Sequence, residues 1–289
     1  MDSGRRADRR RSDAMSRQAS DSGHLASQRV DAHAHLFIHA TPLAAGAWHR
    51  PKEEASAQEF LNLLDRHGIG YGILAAASIF GTNNEYALEA CARSHRLRTT
   101  VIISPLTTLE SMKAMAASGA VGVRFQWRNV ANPPDLHSSE YQQLLHNMAE
   151  LGWHAQLHDD SHRLQNYLPA LESAGVQIVV DHFGRPSLEH SLNCPGFQRL
   201  LSSIETGRTW VKLSSGFRLG SAKLARDAAQ MLLKHAGPER LMWGSDWPFA
   251  AFEDKVSYGQ TLADLENWVP DVQARDRILC QTPCDFYLH

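Results

Sequence analysis

Residues able to do chemistry recur at set places along this chain. His33 and His35, in Val30-Asp31-Ala32-His33-Ala34-His35-Leu36-Phe37, stand two apart. On a strand that spacing turns both imidazoles to one face and Ala32 and Ala34 to the other. Two imidazoles side by side need hydrogen-bond partners or a metal, because neither is cheap to bury alone. Farther along, Asp181-His182 follows the apolar run Ile178-Val179-Val180, and Ser245-Asp246 sits between Trp243-Gly244 and Trp247-Pro248. An acid in such apolar surroundings is a candidate proton acceptor. Arg124, Arg128 and Arg218 supply guanidinium groups, whose planar forks suit carboxylates. Ser78 and His158 complete the set, although taken singly each reads equally well as an ordinary turn residue or an exposed histidine.

The elements that must position these residues follow one period. Short apolar strands are predicted at 30–37, 70–77, 99–104, 120–125, 153–157, 177–181, 209–213 and 240–244. Helical spacing separates them at 58–67, 85–97, 109–118, 139–151, 161–174, 197–204 and 222–235, with two closing helices at 262–268 and 272–279. The first helix ends at Gly68, a residue suited to the left-handed cap. Eight strands alternating with helices over about 260 residues predict an α/β fold, a closed (β/α)8 TIM barrel. A doubly wound open sheet would carry a Gly-rich phosphate loop after its first strand, where this chain has His-Ala-His. In a barrel the chemistry belongs at the carboxyl ends of the strands. Six of the eight predicted ends carry a residue able to bind a metal, move a proton or hold an anion: His33/His35, Arg124, His158, Asp181-His182, Ser214/Arg218 and Asp246.

Composition narrows the class. The chain has 289 residues, 43% hydrophobic and 21% charged, with a formal net charge of -2, which gives no global reason to expect nucleic acid as a partner. No run of 18 or more apolar residues exists, so no membrane-spanning helix is expected. The four cysteines lack CxxC spacing and are read as reduced thiols, pointing to a cytoplasmic location. Residues 1–28, rich in Arg, Ser and Asp without apolar periodicity, are expected to form a disordered tail, leaving 29–289 as a single barrel domain. An Arg-Arg pair near the start lacks the apolar segment that an export signal needs. The long segment 39–57, with Pro42, Gly46, Trp48 and Pro51, is a candidate lid.

Seven motifs in order, DAHAHLF, ASIFGTNN, GVRF, GWHAQLH, VVDHFGRP, KLSSGFRL and ERLMWGSDWPF, run over essentially all of residues 29–289. With them the chain resembles the amidohydrolase superfamily, in particular the branch of 2-pyrone-4,6-dicarboxylate hydrolases and sugar-lactone hydrolases. That resemblance implies a carboxylic-ester hydrolase of aromatic or sugar-acid degradation that opens a lactone with water. It implies Asp246 as general base, His33, His35 and His182 polarising the carbonyl, and Ser78, Arg124, Arg128 and Arg218 holding substrate carboxylates. The branch carries tyrosines in the loop after strand one and at the end of strand five, where this chain has Trp48-His49-Arg50-Pro51 and His158. His158 is accordingly counted among the substrate-binding residues. It also keeps a second reading open, a zinc-dependent hydrolase or decarboxylase with His33, His35, His158 and Asp246 as ligands. Otherwise no cofactor is expected to be obligatory. A bridged two-metal centre is not expected, because the end of strand four holds Arg124 rather than a lysine. A third reading, a non-catalytic carboxylate-binding barrel, leaves Asp246 without a purpose. The expected partner is a small anionic lactone; the sequence does not fix the oligomeric state.

Overall fold

The computed structural model describes residues 28–288. The expected amino-terminal tail, Gln28 apart, lies outside them. Eight parallel strands form one sheet in sequential order: β1 Val30–Ala34, β2 Tyr71–Leu74, β3 Leu97–Val101, β4 Ala120–Gln126, β5 His154–His158, β6 Ile178–Val180, β7 Thr209–Ser214 and β8 Leu241–Gly244. Between them run α1 Ala57–Arg66, α2 Glu85–Arg93, α3 Leu109–Ala117, α4 Ser139–Glu150, α5 Leu168–Ser173, α6 Pro195–Glu205 and α7 Ala222–Ala236. The chain ends with α8 Tyr258–Trp268, α9 Val272–Asp276, a π-turn at Arg277–Gln281 and α10 Thr282–Tyr287. The barrel closes just past the last strand: Asp246 N donates to His33 O at 2.7 Å, and His35 N donates to Trp247 O at 2.7 Å. The (β/α)8 expectation therefore holds. Among the described residues no helix is long and apolar enough to cross a membrane.

Local sequence explains most boundaries. Ser56 caps α1 in a reciprocal box with Glu59, and Ser221 caps α7 by accepting from Leu224 N. Pro195 opens α6 at a position where its missing N–H costs nothing. Two expectations shift. The first strand stops at Ala34 rather than residue 37, because beyond it the backbone pairs with the segment after β8 instead of β2. The helix expected at 161–174 is a 3-10 stretch, Ser161–Asn166, followed by the short α5.

Two apolar layers fix the frame. The larger core lies between strands and helices, with Phe60, Leu144, Phe197 and Trp243 among its fully buried side chains. A smaller cluster of Val30, Ala32, Ile73, Val179, Trp210 and Met242 fills the barrel, and Tyr287 of α10 packs against it. Ala32 thus points inward, against the strict alternation expected of β1. The register of β1 shifts between Asp31 and Ala34, so inward residues do not follow a simple period there.

Candidate active site

The shift in β1 and the seam with β8 bring the first chemical residues together. His33 and His35 rings lie 5.0 Å apart, with Nε2 to Nε2 at 3.3 Å. Asp246 Oδ1 is 3.3 Å from His35 Nε2 and 3.6 Å from His33 Nε2. His182 packs its ring 4.6 Å from that of His33 and holds Nδ1 2.8 Å from Ser214 Oγ. All four groups are buried. His182 and Asp246 have φ of 54° and 64°, in the left-handed region that a β-carbon disfavours, and strain of that kind collects where a side chain must be aimed.

Beneath this layer lies an ionic network. Asp181 takes Arg124 Nε at 3.1 Å and Nη2 at 3.0 Å on Oδ2, and Gln156 Nε2 at 2.9 and 3.0 Å on its two oxygens. Lys212 Nζ stands 3.6 Å from Asp181 Oδ1 and 3.5 Å from His33 Nδ1. Beside it, Asp31 accepts from His33 N, Ser245 N, Ser245 Oγ and Tyr258 OH, fastening β1 to the segment that carries Asp246. Asp31, Lys212 and Gln156 were not among the expected site residues. Asp31 and Lys212 belong to the quoted motifs DAHAHLF and KLSSGFRL, but inside a strand a polar residue carries no sign that its partner will come from another strand.

Burial and charge set the protonation states. Burial lowers the pKa of His33 to about 3, against a partly opposing pull from Asp181, so the ring is neutral. Burial also drives His182 and His158 well below the imidazole range, His158 with help from Arg124. For Asp246 burial pulls upward, but the Arg218 guanidinium, the His35 contact and the nearby rings outweigh it and hold the carboxyl well below its usual range. Asp181 is likewise held down, by His33, Arg124 and Lys212 against its burial. Burial pushes Asp31 up to about 6.

A cavity of about 330 Å³ opens above these groups, lined by His35, His158, His182 and Asp246 with Ser78 and Trp48 on its wall. Trp48 Nε1 donates to Ser78 Oγ at 3.2 Å, so the candidate lid does reach the cavity. The expected arginines all border it but in different states. Arg124 is already committed, to Asp181 and through Nη1 to Ala76 O at 2.8 Å. Arg218 Nε donates to Asp246 Oδ2 at 2.7 Å and Nη1 to Ala250 O at 2.9 Å. Arg128 is joined by Arg185, which the sequence reading passed over. Both donate through Nε to the same oxygen, Asp160 Oδ1, at 3.2 and 3.1 Å. Burial and the neighbouring Arg128 charge lower the Arg185 pKa. Two guanidiniums sharing one carboxylate leave a positive charge uncompensated at the mouth.

The expected metal ligands divide three to one. His33, His35 and Asp246 form a donor cluster; His158 belongs to no such cluster among the described residues, and while Arg124 Nη2 holds its Nδ1 at 3.2 Å, its buried Nε2 has no hydrogen-bond partner. A tetrahedral zinc with bonds of about 2.0–2.2 Å sets neighbouring donors roughly 3.3–3.6 Å apart. The observed 3.3, 3.3 and 3.6 Å fit that spacing for three ligands.

Comparison with known proteins follows the same outline. A sequence model of the family described as Amidohydrolase matches residues 30–288. A 4-sulfomuconolactone hydrolase of Hydrogenophaga intermedia is 28% identical over 263 residues, covering 88% of this chain and 86% of that protein. A 2-pyrone-4,6-dicarboxylate hydrolase of Comamonas testosteroni is 25% identical over 276 residues, covering 89% of each. A crystal structure from Acinetobacter baumannii, described as a probable 2-pyrone-4,6-dicarboxylic acid hydrolase with citric acid bound, superposes with a TM-score of 0.87 at 30% identity. It covers 91% of this chain and 100% of that one.

Proposed function

The chain belongs to the amidohydrolase family, and from that premise we propose that it hydrolyses a small anionic lactone, with Asp246 as general base toward the attacking water. The observation that carries this reading is the cavity itself, which sets an ionised carboxylate against buried neutral imidazoles on one side and surplus guanidinium on the other. The names of the relatives support the choice of a lactone, since both act on lactone rings bearing acid groups.

The chemistry follows from the protonation states. Arg128, Arg185 and Arg218 hold the substrate's acid groups, with Ser78 and His158 alongside, and so fix the ring over the imidazoles. As water adds to the carbonyl carbon, its proton passes to Asp246 and negative charge gathers on the carbonyl oxygen. Ring N–H groups of His33 and His182 are the donors available to that oxygen, a contribution of several kcal/mol, while His35 spends its Nδ1 proton on Ala75 O. Asp246 is a weak base because its neighbours favour the ionised form. It accepts the proton only in step with that stabilisation. Collapse of the adduct breaks the ring C–O bond, the leaving oxygen takes the proton from Asp246, and the new carboxylic acid gives its remaining proton to solvent as the product departs as a hydroxy carboxylate.

The spacing of His33, His35 and Asp246 supports a second, metal-assisted reading of the same site. When bound there, zinc would supply a Lewis acid for the carbonyl and lower the pKa of a bound water to about 7. One experiment tests both readings: lactones with no, one, two and three carboxylate or sulfonate groups are assayed for ring opening, before and after chelation. Turnover confined to anionic lactones is expected, and Asp246→Asn should abolish it. Turnover of neutral lactones alone, or full activity of a folded Asp246→Asn protein, would refute the proposal. Activity lost to chelation and restored by zinc selects the metal-assisted form.

A further inference from the structure

We propose that Lys212 is a positioning residue that decides which ring nitrogen of His33 carries the proton, and so whether His33 Nε2, beside His35 and Asp246, serves as a hydrogen-bond donor or as a metal ligand. The turnover part of its test rests on the lactonase reading; the remainder does not. Lys212 lies in β7 with its side chain wholly buried, and nothing in the lactone chemistry above uses it. An ammonium withdrawn from water is costly to keep, and an apolar residue of the same volume would pack the barrel more cheaply.

Its effect follows from the direction of each hydrogen bond. The carbonyl of Ala75 can only accept, so His35 Nδ1, 2.7 Å away, must donate. With its second ring nitrogen unprotonated, His35 offers a lone pair at Nε2, which faces Asp246 Oδ1 at 3.3 Å as well. His33 Nε2 lies 3.3 Å from that lone pair and must carry a proton to use it, with Asp246 Oδ1 as a second acceptor at 3.6 Å. A neutral His33 protonated at Nε2 offers a lone pair at Nδ1, and there the ammonium of Lys212, which can only donate, stands 3.5 Å away. One unbroken sequence of donors thus runs from Lys212 through His33 and His35 to the backbone.

A competitor sits beside it. Asp181 Oδ1 is 3.2 Å from the same Nδ1 and can only accept. If His33 gave its proton to Asp181, its Nε2 lone pair would meet those of His35 and Asp246, and three lone pairs in one triangle call for a cation. That is the metal-binding arrangement. Asp181 is already supplied by Arg124, Gln156 and Lys212 itself, which leaves it little need for a further donor. Lys212 therefore tips His33 toward Nε2–H, the form that can donate to a developing oxyanion.

The test begins with the metal-stripped full-length protein. Long-range ¹⁵N–¹H correlation of its imidazoles, with His33→Gln to assign the His33 signals, should place the His33 proton on Nε2. In Lys212→Met the proton should move to Nδ1, and zinc affinity measured by competition with a chromophoric chelator should rise about tenfold or more. Turnover of an anionic lactone should fall by about 10- to 100-fold with KM within about threefold. Lys212→Gln, which keeps an N–H donor, should restore the Nε2–H signal and most of the turnover. A wild-type His33 proton on Nδ1, or on both nitrogens, overturns the inference, and this measurement decides the matter even where Lys212→Met fails to fold. An unchanged tautomer and zinc affinity in folded Lys212→Met also overturns it. Should no lactone be turned over, the function fails while the tautomer and zinc measurements still judge Lys212.

Discussion

Replacing Arg124 by Met separates two roles that its place at the cavity allows. The guanidinium is almost fully buried and makes four contacts: two with Asp181, one with Ala76 O and one with His158 Nδ1. Breaking a buried ion pair by removing one partner costs about 3–5 kcal/mol, because the other charge is left behind. Asp181 would keep Gln156 and the more distant Lys212, so the lower part of that range applies, about 3–4 kcal/mol. At about 2–4 °C per kcal/mol for a domain of this size, Tm should fall by roughly 5–15 °C. Turnover should drop as well, because Asp181 also neighbours His33 Nδ1 at 3.2 Å, whereas KM should move by less than about threefold. Thermal unfolding followed by circular dichroism and steady-state kinetics on one anionic lactone measure both. Arg128→Met and Arg185→Met, whose partner Asp160 is partly exposed, should behave oppositely, with KM raised and Tm within a few degrees of the parent. A Tm unchanged in Arg124→Met alongside a tenfold rise in KM would show that Arg124 serves the substrate first and Asp181 second.

Other outcomes follow from the same contacts. Asp246→Asn should lose activity by a factor on the order of 10²–10⁴, the usual worth of a general base, while circular dichroism reports an intact fold; residual activity above a tenth would refute the assignment. Gly244→Ala should disable the site without touching the cavity, because the added β-carbon would fall 2.5 Å from His33 Cβ and 2.8 Å from His33 N. Displacing a reacting group by about 1 Å costs on the order of 10²-fold in rate, so a near-normal turnover number would contradict this reading of β1 against β8. Acid should weaken the fold through its buried neutral histidines. Burial holds His154 near a pKa of about 3, well below its unfolded value, so between those limits the unfolded chain binds more protons and stability is lost as the pH is lowered. His154→Gln should reduce that slope by about 1.4 kcal/mol per pH unit between about pH 6 and 4, as read from urea denaturation, and an unchanged slope would refute it. Trp48→Ala should raise KM by about three- to tenfold without altering Tm, because this half-exposed indole touches the cavity wall rather than the core.

The barrel was legible because its signal is local. Short apolar runs punctuated by helical spacing need no knowledge of partners, and the expected strand ends did gather His35, His182, Asp246 and four arginine or histidine neighbours around one cavity, with His33 buried against His35 and Asp246. What the sequence could not disclose was where each charge is spent. Arg124 and Arg218 look alike as strand-end arginines, yet one is consumed beneath the floor by Asp181 and the other leans on Asp246. His158 resembles a metal ligand in the sequence, yet it stands apart from the donor cluster of His33, His35 and Asp246. Such pairings join β4 to β5 and to the end of β6, or the segment after β7 to the one after β8, and no periodicity along one strand encodes them.

The seam between β1 and β8 shows why fold and site were readable together. The two backbone bonds that close the barrel run from Asp246 N to His33 O and from His35 N to Trp247 O. Three proposed catalytic residues are therefore also the residues that close the sheet, and Asp31 draws the same two segments together through Ser245. Closing the barrel and assembling the base with its imidazoles is a single structural event. A substitution that loosens this seam, such as Asp31→Asn, should lower stability and activity together. A change on the far side of the cavity, such as Arg128→Met, can lower affinity alone. Finding Asp31→Asn destabilised but fully active would mean that the site is held from below, by Lys212 and Asp181, rather than by the closure of the sheet.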